Sequence, residues 1–211
     1  MSNELKLLIG KNEKILYVGK PDKMCFILES IFNPLLPIAA VWAFVDIGVI
    51  GSSLTAEELK NGVAFFMTPF MFFHLMPVWL YLGGALLSFW RYRNTDYIVT
   101  DKAIYASGGV ISRTYKSKPF AELSHVDLHR GIFDQMFGVG DIVTTSAQAN
   151  PASVNGRQTS TNAGISINSV ADYADVYKLV KKLQEDIYTD VMFPNDMRPK
   201  ENHGYKTQYK G

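Results

Sequence analysis

Two apolar stretches, Met24 to Ile50 and Gly62 to Trp90, dominate the hydropathy pattern of the first half of the chain. Each runs roughly 27 to 29 residues, against the ~20 that a helix needs to cross the hydrocarbon core of a bilayer. Neither carries a Lys or Arg. The connection Gly51 to Asn61 (GSSLTAEELKN) is short, polar and turn-forming, so the pattern predicts two antiparallel transmembrane helices in one hairpin. A Pro/Phe-rich hairpin buried in one leaflet is the alternative, and the length of each stretch argues against it.

Beyond Asn94 the period changes to two. Thr95 to Thr100 predicts a strand, Asp101-Lys102 a turn, Ala103 to Ser107 a second strand, and Gly108-Gly109 a hairpin leading into Val110 to Lys116. Pro119 breaks the run. Glu122 to His129 alternates, with Leu123, Val126 and Leu128 expected inward. Ile132, Phe133, Met136 and Phe137 recur at helical spacing, and Asp141 to Ser146 predicts another strand. Ala147 to Ala163 is small, polar and rich in turn formers, as a long mobile hairpin loop would be; Gly164 to Asn168 then closes the sheet. From about Ser169 to Tyr188 a helix is expected, capped by Asn168 or Ser169, with Asp172 and Asp175 at its positive end. Its apolar stripe is Tyr173, Val176, Tyr177, Val180, Leu183 and Ile187, opposite Lys178, Lys181, Lys182, Glu185 and Asp186. Short antiparallel strands ending in one amphipathic helix predict a small curved sheet plugged by that helix.

The averages conceal this division. A mean hydropathy of +0.02 and 47% hydrophobic residues result from averaging an apolar half with a polar one. The formal charge of +1 gives no sign of a nucleic-acid partner. With Cys25 as its one cysteine, the chain can form no intrachain disulfide. A cleaved signal peptide is not expected, since mostly polar residues precede a first apolar run that is too long for one. Lys6, Lys11, Lys14, Lys20 and Lys23 precede the first apolar stretch, and Arg91 and Arg93 follow the second. The intervening loop holds only Lys60. By the positive-inside rule both termini face the cytoplasm.

Candidate chemistry is sparse. Glu29, Asp46 and His74 are ionisable residues within the apolar stretches, where charge is costly enough to suggest a function in transport. Glu29 and Asp46 lie near segment ends, and a neutral His74 bonded to the neighbouring helix is the structural reading. Pro34, Pro37, Pro69 and Pro77 are expected to kink both helices and release backbone carbonyls. Gly138-Val139-Gly140 lacks the third glycine of a nucleotide loop and reads as a tight turn. His125, Asp127 and His129 share one strand face; an exposed polar face is favoured over a metal site. Ser124 and His125 point to opposite faces and cannot act as nucleophile and base. No catalytic, metal-binding or cofactor-binding residues are expected, and the chain does not read as an enzyme. Arg91, Arg93, Arg113, Lys116 and Lys118 are the candidate lipid-headgroup contacts, although basic and acidic residues nearly balance after Asn94.

Three runs carry a resemblance: Trp90-Arg91-Tyr92-x-Asn94-Thr95-x-Tyr97-Ile98-Val99-Thr100-Asp101-Lys102-x-Ile104, then Gly109-Val110-Ile111, then Phe137-Gly138-Val139-Gly140-Asp141-Ile142. In their order and spacing they resemble bacterial membrane proteins with a pleckstrin-homology-like (PH-like) domain. Glu13 to Tyr17 is similar to the strand preceding the first membrane helix of that family. The resemblance covers about Glu13 to Tyr188. It implies an α+β membrane protein: a two-helix transmembrane hairpin followed by a PH-like antiparallel β barrel with a C-terminal helix. The expected divisions are 1–23 as an N-terminal segment, 24–90 as the hairpin, 91–190 as the PH-like domain and 191–211 as an extension. The expected role is a non-enzymatic scaffold or adaptor at the bacterial plasma membrane, binding a protein partner or another copy of itself. The alternatives are a lipid-binding module and an accessory subunit of a transporter or channel.

Overall fold

The computed structural model describes residues 3–53, 63–146, 151–154, 157–160 and 164–192, with side chains over 4–48, 69–146 and 164–187. Contacts divide the chain into two units, Met1–Phe26 with Arg91–Gly211, and Ile27–Trp90. The first unit joins residues from both sides of the apolar stretches.

In the first unit, β1 (Ile15–Gly19), β2 (Tyr97–Thr100), β3 (Ala103–Gly108) and β4 (Thr114–Pro119) form one antiparallel sheet in that order. β5 (Leu123–His129), β6 (Gly140–Ser146) and β9 (Ser166–Val170) form a second, ordered β5-β6-β9. Every residue of β2 is buried. Tyr97 and Val99 enter the main core with Ile104, Phe120, Ile142 and Ile167. Ile98 faces the opposite way and joins Ala103, Tyr105 and Leu5 in a second cluster. Leu5 belongs to a short helix, α1 (Asn3–Leu7), so the N-terminal segment covers the outer face of the first sheet.

No sheet among the described residues closes into the expected barrel. Pro119, which has no N–H to donate, and the 3-10 turn Phe120–Glu122 carry the chain from the first sheet to the second. Within 147–163, expected as a loop, β7 (Pro151–Val154) and β8 (Arg157–Ser160) pair as a separate ladder. The remainder of that loop, residues 54–61 of the connection and the extension beyond 192 lie outside the described residues.

The third strand of the first sheet turns back later than the sequence suggests. The pattern predicts β4 from Val110, but pairing resumes only at Gly108 with Thr114. Gly109 has φ +115, and an added Cβ would meet the Ser112 carbonyl oxygen, so only glycine fits there. Asn94 Nδ2 holds the turn by donating to the carbonyls of Gly109 (3.1 Å) and Val110 (3.4 Å). In the register, Gly19 pairs with Tyr97 and Tyr97 with Ala106. The end of β1, the start of β2 and the β3–β4 turn thus share one end of the sheet.

The helix expected at Ser169–Tyr188 starts later, at Tyr173, and runs to Met192. Ser169 does not cap it; it sits in β9 with φ 53, where its N–H donates to Asp141 Oδ1 at 2.6 Å. The helix buries Val176, Val180 and Leu183 in the main core, and Lys178, Lys181 and Lys182 face outward.

In the second unit the two apolar stretches are broken rather than merely kinked. The first gives α2 (Lys23–Ile31) and α3 (Leu35–Ser53), and the second gives α4 (Val63–His74) and α5 (Met76–Asn94). Among the described residues no single helix is long and apolar enough to cross a membrane. One pair, Lys23–Ile31 with Leu35–Gly48, meets the length and composition together, bent by 48°. Proline chemistry accounts for both breaks. Pro34 lacks an N–H, and Asn33 stops one helix and starts the next, donating to Ser30 O (2.7 Å) and accepting from Leu35 N–H (2.8 Å). At Pro77 the ladder tightens, and Val78 N–H bonds Leu75 O at 2.9 Å instead of the carbonyl one residue earlier. That released carbonyl, His74 O, accepts from Trp42 Nε1–H at 2.8 Å.

Candidate functional site

The helix that joins β5 to β6, α6 (Ile132–Phe137), buries its carboxylate and exposes three of its four large apolar residues. Its helical spacing is as expected, but Ile132, Met136 and Phe137 are exposed while Asp134 is buried. The reason lies in hydrogen bonding: Asp134 Oδ2 accepts from Gly131 N–H (2.8 Å) and its Oδ1 from Cys25 Sγ–H (3.3 Å). A carboxylate so partnered can be buried, and turning it inward turns the apolar residues out. Gly138, at φ 69, ends the helix, and Val139 N–H bonds Asp134 O at 2.9 Å. The tight turn read from Gly138-Val139-Gly140 is this helix stop.

Next to α6 runs β5, an edge strand of the second sheet among the described residues. Its first carbonyls, of Leu123 and Ser124, accept from Gln184 Nε2 on α7 (Tyr173–Met192), at 3.3 and 3.2 Å. From His125 onward the strand is progressively bare: His125, Asp127, Leu128 and His129 are exposed. Leu128, expected inward, is 39% exposed because it falls beyond the cover of α7. The donor atoms of His125, Asp127 and His129 do not converge as a metal site requires.

The five candidate headgroup cations are dispersed. Arg113 pairs with Glu4 at 2.8 Å, and Tyr115 also donates to Glu4. The Tyr115 hydroxyl, and then Arg113, hold the Glu4 carboxyl below its ordinary range. Lys118 pairs with Glu122 at 2.8 Å. Arg91 lies over the Phe26 ring, 5.5 Å from its centre, and Arg93 is exposed near the end of α5. Lys116 stands exposed on β4, beside a cleft of about 390 Å³ lined by Ser107, Gly108, Thr114, Ile165 and Ser166. One lysine among hydroxyls and backbone can meet a singly charged group and offers little for a polyphosphate.

In the second unit, the ionisable residues divide. Asp46 on α3 is 3% exposed and meets His74 of α4: Nδ1 lies 3.0 Å from Oδ1 and 3.1 Å from Oδ2. The His74 ring lies between Phe70, stacked at 5.4 Å, and Trp42 at 5.3 Å. The pair therefore links α3 to α4, with a backbone bond from Trp42 beside it. Glu29 lies half-buried on α2, outside this pair. The sequence marks all three residues by chemistry, but which two would meet depends on the offset between the helices.

No curated protein and no solved structure matches the chain. A family model described as Bacterial PH domain matches residues 35–184, from α3 through β2 to β9 and into α7. That span is well over half of the sequence and contains the second helix break, β2 to β9 and most of the covering helix, with β1 lying before it. The chain belongs to the bacterial PH domain family.

Proposed function

We propose that this protein is a non-enzymatic scaffold or adaptor anchored in the bacterial plasma membrane, its PH-like unit binding a protein partner or a second copy. Membership of the PH domain family supports a binding module, for protein or lipid. The observation that carries the protein reading is the bare edge of β5 from His125 to His129. An edge strand offers unpaired backbone donors and acceptors, and an extended segment adds to it by main-chain pairing without special side chains. Gln184 occupies the carbonyls nearest α7 and so fixes where such a segment would begin. The anchor rests on the two apolar stretches, and the cytoplasmic position of both termini on the Lys/Arg asymmetry across them.

Lipid recognition is the second reading, favoured by the cleft beside Lys116. An accessory subunit of a transporter is the third, and its support is the Asp46–His74 pair. Purification of the full chain in mild detergent, with mass analysis of the intact particle, separates the three. The proposal expects a protein assembly, of copies of this chain or of this chain with a second protein. A monomer carrying bound lipid alone contradicts it and favours the lipid module. A stoichiometric multi-helix transporter in the particle favours the subunit.

A further inference from the structure

We infer that the outer face of α6, with Ile111 at the β3–β4 turn, is a second membrane contact that seats the PH-like unit in the headgroup region of a bilayer. The inference rests on the reading of Ile27–Trp90 as the membrane anchor. Ile132 is 84% exposed, Met136 67% and Ile111 100%. A six-residue helix that buries its one carboxylate and exposes Ile132, Met136 and Phe137, with Phe133 half-buried, is the reverse of a water-facing helix. Exposed apolar clusters of this kind mark interaction surfaces.

Lipid is favoured as the occupant because of where these residues stand in the unit. The chain leaves for Ile27–Trp90 after Phe26 and returns at Arg91. The two crossings are adjacent, since the Phe26 and Tyr92 rings lie 6.1 Å apart. Cys25, one residue before the outgoing crossing, bonds Asp134 and so ties α6 to it. Asn94, just after the return, ties down the β3–β4 turn that carries Ile111. Both apolar features are therefore fixed beside the crossings by hydrogen bonds within the same unit. Arg91 and Arg93 lie at the return crossing, where cations suit anionic headgroups. An interfacial helix lies in the membrane plane with its apolar face about 5–10 Å below the headgroup boundary.

The test uses the full chain carrying Cys25→Ser, which keeps a donor toward Asp134, reconstituted in vesicles of phosphatidylglycerol and phosphatidylcholine. Single cysteines at positions 111, 132, 136, 182 and 38 are labelled with an environment-sensitive fluorophore and exposed to lipids bearing a spin-label quencher, placed at the headgroup level for the first four and deep in the acyl chain for 38. Quenching at 111, 132 and 136 but not at 182, on the wet face of α7, is the expected result. Quenching at 38, within α3, without quenching at 132 and 136 overturns this inference and leaves the anchor standing. Absence of quenching at 38 as well overturns both.

Discussion

Asp46 and His74 show how much one partner determines about another at the scale of the residue. Asp46 is buried and His74 offers it a ring nitrogen at 3.0 Å. His74→Gln retains a side-chain donor, so the change is expected to cost about 1 kcal/mol or less, the usual worth of an interhelical hydrogen bond. His74→Leu leaves the carboxyl without that donor and is expected to cost about 3 kcal/mol or more. Denaturation of the two variants in detergent measures the difference, and equal stability would mean that the pair carries no structural energy. A second residue-scale prediction concerns three phenols. Burial raises Tyr17 and Tyr97 to about 12; burial and then the Glu13 carboxylate raise Tyr105 to about 12. The folded values lie above the ~10 of an unfolded chain. Their contribution to stability is thus fully present below about pH 10 and lost as the pH rises towards 12. Absorbance titration at 295 nm should give a late phase near pH 12 that moves to ~10 on unfolding. A single wave near 10 in the folded protein would contradict the burial of these rings. The Tyr105 shift is not legible from the tyrosine itself, because its Glu13 partner lies 92 residues earlier.

Elements whose order is local are those that the sequence pattern describes well. The stripe of α7 falls where its periodicity puts it, and Val180 is fully buried. Val180→Asp and Leu183→Asp place a charge in the main core and are expected to cost several kcal/mol each. Lys181→Asp disturbs only an exposed pair with Glu185, held at 3.8 Å, and is expected to cost about 0.5 kcal/mol. Thermal melts of the three variants check this, and equal tolerance would mean that α7 does not pack on the sheets. Elements shaped by distant residues are less legible. The start of β4 depends on Asn94, and the orientation of α6 depends on Cys25, 109 residues before Asp134. Helical spacing in Ile132–Phe137 indicates a turn of helix, yet spacing alone cannot say which face a buried carboxylate will claim. The prolines indicate kinks, but a full break also requires Asn33 to cap and Trp42 to take the His74 carbonyl.

On the scale of the whole molecule, the PH-like unit is discontinuous: β1 precedes the apolar helices and finds its partner β2 only after them. Resemblance indicates that early strand, whereas hydropathy alone separates the N-terminal segment from the domain it completes. The same discontinuity places both crossings and the β3–β4 turn at one end of the first sheet, while β5, paired with β6 on one side, is an edge strand of the second sheet among the described residues. That edge is the part of the site least visible in sequence, since backbone pairing demands no particular side chain. The most direct measurement is photocrosslinking in living cells with a benzophenone amino acid at position 127 of the full chain, and at 182 as the comparison. The account predicts covalent adducts with a protein, a second copy or another chain, at 127 and far fewer at 182. Equal crosslinking at the two positions, or none to protein at 127 with the variant folded and abundant, would contradict it.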